Sequence, residues 1–205
     1  MWYWRESSFK TLKDVAAEAS KTAEWADYAE YCVEQDRGLR RQALKVLDRF
    51  ISRLKVAPLS ERQKFVSWLF HISHARDGEH LLMPYPLRKQ IVEPTLSEWS
   101  ESDPTASEPH RWLGGYDHLK HAIQLNPFDE IARRKFIDCI LQSVEQATHE
   151  LPFGYLGSPH DDLALLREAE TALLDLPAED ERNRIAARIS EERKWIEGYN
   201  KSREK

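Results

Sequence analysis

The stretch Leu39-Arg-Arg-Gln-Ala-Leu-Lys-Val-Leu-Asp-Arg-Phe-Ile-Ser-Arg-Leu54 carries the strongest evidence for the fold. Its apolar residues recur at intervals of three and four positions, the spacing that places them on one face of an α-helix. Gly38 precedes the stretch and Pro58 follows it. Proline rarely lies inside a helix because it lacks an amide hydrogen and clashes with the preceding turn. The stretch therefore predicts an amphipathic helix with one buried face.

The same helical character extends over the rest of the chain. Hydrophobic residues make up 41% and charged residues 32% of the 205 positions, with only 7 glycines. This composition is typical of amphipathic helices and unlike that of a disordered chain. The alternation of apolar and polar residues that marks a half-buried strand is almost absent. We predict an all-α protein built from antiparallel helical hairpins.

Prolines divide this helical pattern into two parts. Five of them fall between residues 81 and 109, at Pro84, Pro86, Pro94, Pro104 and Pro109. They leave room only for short helices, which we place at Leu87–Val92 and Thr95–Trp99, and for an exposed loop over Ser100–Pro109. We predict an N-terminal helical unit over 1–80, a proline-rich connection over 81–109 and a C-terminal helical unit over 110–205, with one continuous domain as the alternative.

Four further helical patterns follow the proline-rich stretch. They cover Tyr116–Leu125, Phe128–Thr148, Asp161–Leu176 and Glu179–Asn200, and each boundary has proline, glycine or both. Because the turns between them are short, neighbouring helices are expected to pack antiparallel and to bury their apolar faces against one another.

The first of these patterns resembles a known repeat. Gly115-Tyr-Asp-His-Leu-Lys-His-Ala-Ile-Gln-Leu-Asn-Pro127 is similar to the end of a tetratricopeptide repeat (TPR), in which a Gly-Tyr-Asp turn opens a helix that closes on Leu-Asn-Pro. We identify one degenerate repeat over about Trp112 to Ile140. The resemblance implies helical hairpins, in a TPR-like or an irregular helical array, that hold a protein or peptide in a groove.

Motifs of enzyme chemistry are scarce in the chain. The glycine-rich signatures of ATP and dinucleotide binding and the GxSxG signature of acyl transfer are absent. Cys32 and Cys139 lack a cysteine partner at metal-binding or disulfide spacing, which predicts buried free thiols. No apolar run reaches the roughly 20 residues that cross a bilayer, and the first residues lack the pattern of a signal peptide. We predict a cytoplasmic, non-enzymatic protein without cofactor and without membrane contact.

The loop from Thr148 to Asp162 concentrates polar and aromatic side chains beside two glycines and two prolines. One interpretation is a structured helix connection, in which Ser158 or Asp161 caps the following helix. The alternative is a metal-dependent hydrolase that uses this loop, because histidine and carboxylate side chains can hold a metal or act as general base. We favour the connection and treat its surface as a site for protein binding. The candidate binding residues are Trp112, Tyr116, His149, Tyr155, His160, Asp161 and Asp162.

Two weaker patterns lie outside this loop. His71 with His74, and His118 with His121, share the three-residue spacing that places two imidazoles on one helix face. Without a further ligand at fixed spacing they predict no metal site. The basic row Arg37, Arg41, Lys45, Arg49 and Arg53 is interpreted as a solvated face that nearby acidic residues neutralise in part. Because exposed aromatic residues are not interleaved with it, nucleic-acid binding is not expected.

Charge is distributed unevenly along the chain. Residues 1–91 hold 16 basic and 12 acidic side chains, whereas residues 92–205 hold 14 basic and 23 acidic ones. An acidic C-terminal surface suits a basic protein partner. We therefore predict a protein-binding helical scaffold, with a dedicated inhibitor such as an immunity-type protein against a basic toxin as one form of it.

Overall fold

The structure, a computed structural model, describes residues 6–74 and 79–203. These ranges consist of helices and turns and contain no β-strand, so the protein is all-α as predicted. The chain divides into two compact parts, unit 1 over Met1–Pro104 and unit 2 over Thr105–Lys205.

Unit 1 is a set of helices that pack mainly on their neighbours in the sequence. It contains α1 (Glu6–Ala19), α2 (Ala26–Asp36), α3 (Arg40–Lys55), α4 (Leu59–His74), α5 (Glu79–Leu82), α6 (Tyr85–Leu87) and α7 (Glu93–Ser102), with a 3-10 turn at Ala23–Trp25 and a π turn at Arg88–Val92. The helix predicted from Leu39 to Leu54 is α3, and Leu47, Phe50 and Leu54 on its apolar face are fully buried. α2 packs between α1 and α3, and α4 packs on α7.

Aromatic side chains form the centre of unit 1. The ring of Tyr28 lies 5.6 Å from that of Phe50 and 5.1 Å from that of Phe65, and Trp68 packs edge-on against it at 5.8 Å. The buried Tyr28 hydroxyl donates to the carbonyl oxygen of Leu82 at 2.8 Å. The phenol can therefore be buried without leaving its polar group unpaired.

The region around Pro94 differs from the two short helices predicted there. α6, the π turn and α7 follow one another without a break from Tyr85 to Ser102. Pro94 lacks an amide hydrogen and its ring would clash with the carbonyl four residues earlier. That carbonyl lies in the π turn, where the wider backbone accommodates the proline. The helix thus passes through Pro94, and the loop predicted over Ser100–Pro109 shrinks to residues 103–106.

Unit 2 is a series of helices in which each packs on the next. It contains α8 (Ser107–Leu113), α9 (Tyr116–Leu125), α10 (Glu130–Thr148), α11 (Pro159–Leu173) and α12 (Glu179–Arg203). The bounds of α9 are those predicted. α10 begins two residues later than predicted because the Asp129 side chain caps it, accepting from the Ala132 amide at 2.9 Å. α11 begins two residues earlier because Ser158 caps it and Pro159 occupies its first position.

The core of unit 2 is mainly aliphatic and is centred on α10, which packs on α9, α11 and α12. Its most deeply buried members are Leu119 of α9, Ile137, Ile140, Leu141 and Val144 of α10, Leu166 and Ala169 of α11, Leu176 in the turn after α11, and Ile189 and Ile196 of α12.

Both cysteines are free thiols, as predicted. Cys32 is buried, and burial raises the pKa of its thiol to about 12. Cys139 is only partly buried. Among the described helices, none has the length and apolar character needed to span a bilayer.

Candidate protein-binding surface

Three helices of unit 2 enclose two neighbouring depressions. The first, of about 280 Å³, lies among α9, α10 and α11 and is lined by Lys120, Ile123, Gln124, Arg133, Phe136, Glu168, Thr171, Ala172 and Asp175. The second, of about 400 Å³, lies at the turns that follow α9 and α11 and is lined by Pro127, Phe128, Glu130, Arg133, Asp175 and Pro177. Together we call these residues the α9–α11 surface.

Local sequence determines where α9 ends and how Phe128 is presented. Asn126 is extended, as a residue before proline tends to be, and its side-chain oxygen accepts from the Phe128 amide at 3.1 Å. The Phe128 side chain is left 92% exposed in this turn. Leu174, beside Asp175 at the end of α11, is 77% exposed. Large apolar side chains exposed beside a depression are typical of protein-binding sites.

Arg133 separates the two depressions. Its side chain is buried, pairs with Asp175 at 2.8 Å and donates to the carbonyl oxygens of Pro127 and Ala172. Pro127 lies in the turn after α9, whereas Ala172 and Asp175 lie at the end of α11. One guanidinium therefore holds both turns together and fixes the wall that the two depressions share.

A second polar group closes the other end of the surface. The Lys120 ammonium lies 2.8 Å from Glu168 and 2.9 Å from the Tyr116 hydroxyl, which itself donates to Glu168 at 2.8 Å. The hydrogen bond from Lys120, and next that from Tyr116, lowers the pKa of Glu168. The same contact with Glu168 raises the pKa of Lys120. The Tyr116 ring packs on Phe136 at 5.4 Å, so this polar group rests on the core.

The sequence-predicted residues of α8 and α9 take different positions. Trp112 is 7% exposed, with Arg111 at 4.8 Å and Lys135 at 4.6 Å over its ring. Its indole is therefore packed inside unit 2. Tyr116 is partly buried beside the α9–α11 surface, to which its hydroxyl connects through Lys120 and Glu168.

Within the 148–162 loop, the structure joins Tyr155 to Asp162. The Tyr155 hydroxyl donates to Asp162 at 2.7 Å, and its ring stacks on Tyr199 of α12 at 5.2 Å. Burial, and next the hydrogen bond to Asp162, raises the pKa of Tyr155. A methyl group added at Gly157 would lie 2.9 Å from the Asp162 carboxylate, so glycine leaves room for this contact. Tyr155 and the buried Asp162 thus fasten the loop to the start of α11.

The other predicted loop residues lie on the surface. His149 pairs with Glu150 at 2.9 Å, and the largely exposed His160 and Asp161 contact each other at 3.2 Å. Hydrogen bonds from His160 and then Ser158 lower the pKa of Asp161. Over residues 6–74 and 79–203, no group of three or more His, Cys, Asp or Glu side chains is arranged to hold a metal ion.

Part of the basic row is paired with acidic side chains of unit 1. Arg49 contacts Asp27 at 3.3 Å and Glu30 at 2.9 Å, and Arg53 contacts Glu61 at 2.9 Å. These contacts agree with the interpretation of the row as a solvated, partly neutralised face.

Sequence reasoning missed the residues that shape the α9–α11 surface, above all Phe128 and Arg133. A signal for Arg133 exists: it is a charged residue next to Ala132 and three positions before Phe136, on the apolar face of α10. A cation at such a position needs acceptors from neighbouring elements. No signal identifies its partners, which come from turns distant in sequence.

Comparison of the chain with protein-family models, with curated proteins and with solved structures finds no match.

Proposed function

We propose that this chain is a non-enzymatic helical scaffold that binds another protein or peptide on the α9–α11 surface. The observation that carries the proposal is the exposed Phe128 side chain beside two depressions with a common, rigidly paired wall at Arg133 and Asp175. Apolar side chains exposed next to pockets are frequent anchors of protein interfaces. Buried polar groups that already have fixed partners favour binding, because the surface loses little conformational entropy when the partner binds.

Charge supports a basic partner. Residues 105–205 contain 19 acidic and 14 basic side chains. Around the second depression, Arg133 is buried and paired, while the Asp175 side chain is 65% exposed. A carboxylate accessible at the rim attracts cationic side chains and speeds their association. Within the class of scaffolds we favour a dedicated inhibitor of the immunity type, which blocks a basic toxin.

The test compares two phenylalanines of nearly equal exposure, Phe128 and Phe153. Untagged protein is used to capture partners from the native host, and the retained partner is purified and titrated by calorimetry. We expect Phe128→Ala to weaken binding roughly 10- to 30-fold, the range of an interface anchor. Phe153, 95% exposed in the loop between α10 and α11, is the matched control, and Phe153→Ala should leave the affinity unchanged.

Two results would contradict the proposal. The first is a stoichiometric partner that binds wild type and Phe128→Ala equally well. The second is bound metal at one equivalent without a protein partner, lost on His160→Ala, which would favour the metal-dependent hydrolase. Affinity that falls as sodium chloride rises would support the basic partner, since salt screens attraction between exposed charges.

A further inference from the structure

Three histidines of unit 2 converge from two helices, although only two of them are close in sequence. His110 of α8 lies with its Nδ1 atom 3.0 Å from Nδ1 of His118 of α9, and the two rings stack at 5.3 Å. His121, one turn further along α9, packs edge-on against His110 with ring centroids 4.6 Å apart. We call these three residues the histidine clasp.

The hydrogen bond between the two Nδ1 atoms limits how many protons the clasp can hold. One Nδ1 must carry the hydrogen and the other must offer its lone pair. A first extra proton can bind to Nε2 of the donor ring, which keeps the bond. A second proton has to occupy the accepting Nδ1, which places two N–H groups 3.0 Å apart and two positive charges on stacked rings. The bond cannot survive that step.

The charged groups around the clasp are paired with other residues or exposed. On α8, Arg111 pairs with Asp129 at 2.9 Å and with Glu108 at 3.5 Å. On α9, Lys120 pairs with Glu168 and Asp117 is exposed. On α10, Lys135 lies over the Trp112 ring. Among the described residues, the groups that shift the pKa of His110 are the two other histidines of the clasp, and both act to lower it.

The connection between the two helices can act as a hinge. Gly114 and Gly115 join α8 to α9 with φ values of +71° and +77°, a conformation that glycine adopts readily. α8 spans only Ser107–Leu113, so few backbone hydrogen bonds hold it. The clasp joins this short helix to α9, whereas Arg111 and Trp112 of α8 contact Asp129 and Lys135 at and within α10.

We infer that the histidine clasp is an acid-sensitive switch, which releases α8 from α9 at mildly acidic pH while α10, α11 and α12 stay folded. The direction of the pH effect follows from His110, whose pKa is lowered by burial and then by His121 and His118. The folded state binds fewer protons than the unfolded state, so the clasp stabilises α8 above the ordinary histidine pKa of 6.5. That stabilisation is lost as the pH falls through 6.5 towards the lowered value.

Nuclear magnetic resonance of the full chain tests the switch. The histidine ring signals are followed from pH 8 to pH 4.5, together with hydrogen exchange of backbone amides corrected for its intrinsic pH dependence. We expect His110 to titrate below the ordinary histidine pKa of 6.5, and the protection of α8 amides to fall roughly tenfold over that step while α10 amides are unaffected. In His110→Gln, whose amide can still pair with His118 but cannot take a charge, the acid-dependent loss of protection should disappear.

His160→Gln is the matched control, because the His160 side chain is 91% exposed, and it should keep the loss of protection in α8. The inference is wrong if His110 titrates at or above pH 6.5 in wild type, or if α8 protection is unchanged down to pH 4.5. If His110→Gln does not fold, the wild-type ring titration and amide exchange decide the question by themselves.

Discussion

At the scale of single residues, Arg133 contributes most to the α9–α11 surface. It is a buried cation with three acceptors, of which two are backbone carbonyls at the ends of different helices. Carbonyl groups at the end of a helix have no hydrogen-bond partner within that helix. Removing the guanidinium would leave the buried Ala172 without this donor and the buried site of Arg133 unfilled, which costs more than the loss of an exposed ion pair.

We therefore predict that Arg133→Ala lowers the free energy of unfolding by about 3 kcal/mol, as expected for lost buried hydrogen bonds and packing. Its sequence neighbour Arg134 provides the control. Arg134 pairs with Glu181 at 2.8 Å and Glu130 at 3.1 Å in a more exposed position, so Arg134→Ala should cost less than about 1 kcal/mol. Urea unfolding followed by circular dichroism measures both. Equal losses for the two variants would contradict the role given to Arg133.

Residue roles were the least predictable part of the molecule. Trp112 and Asp162 were expected to contact a partner, yet the structure buries both among neighbours of unit 2. Phe128 gave no sequence signal because an apolar residue after a proline fits a core as well as a surface. Whether a side chain is buried depends on the packing of helices distant in sequence, and one chain does not reveal that packing.

At the scale of helices, α9 and α11 are joined by the polar group of Tyr116, Lys120 and Glu168. Tyr116 and Lys120 lie one turn apart on α9, which places both within reach of one carboxylate on α11. Because the Glu168 side chain is 38% exposed, solvent screens this contact and limits its contribution to stability.

This contact predicts a pH-dependent stability difference between wild type and Glu168→Gln. The pKa of Glu168 is lowered in the folded state, so its contribution is present above the ordinary glutamate pKa of 4.5 and is lost as the pH falls through the folded pKa. We expect the variant to be less stable by under about 1 kcal/mol at pH 7 and to match wild type at pH 3. Urea midpoints at both pH values measure this. A difference that persists at pH 3 would mean that packing, not charge, causes it.

Helices themselves were largely predictable from periodicity and boundary residues. The bounds of α9 agree with the prediction because Gly115 and Asn126-Pro127 are strong local signals. The stretch around Pro94 was not predictable, since a π turn allows a helix to continue where proline normally ends it. Such a turn is stabilised by tertiary packing, and the spacing of apolar residues along the sequence does not reveal that packing.

At the scale of the whole molecule, the unit boundary changes how charge is assigned. Residues 1–104 hold 16 basic and 16 acidic side chains, so the net charge of −5 belongs to residues 105–205. When the chain is divided at residue 91, the first part has a net positive charge. That division assigns the four acidic residues of 92–104 to the second part, whereas the structure places them in unit 1. The negative charge that we propose attracts a basic partner therefore lies in unit 2, where the α9–α11 surface also lies.

We predict that residues 105–205 fold without unit 1, because the core cluster found over the described part of unit 2 runs from Leu119 of α9 to Ile196 of α12. A domain of this size should unfold cooperatively with a free energy of about 5 kcal/mol or more. The shorter fragment 126–205 is the control. It lacks α9 and so removes Leu119, which is 2% exposed, and Ala122, which is fully buried. Thermal and urea unfolding by circular dichroism compare them. A fragment 105–205 that is helical but melts without a cooperative transition would show that unit 2 depends on unit 1 for its core, and binding experiments would then require the full chain.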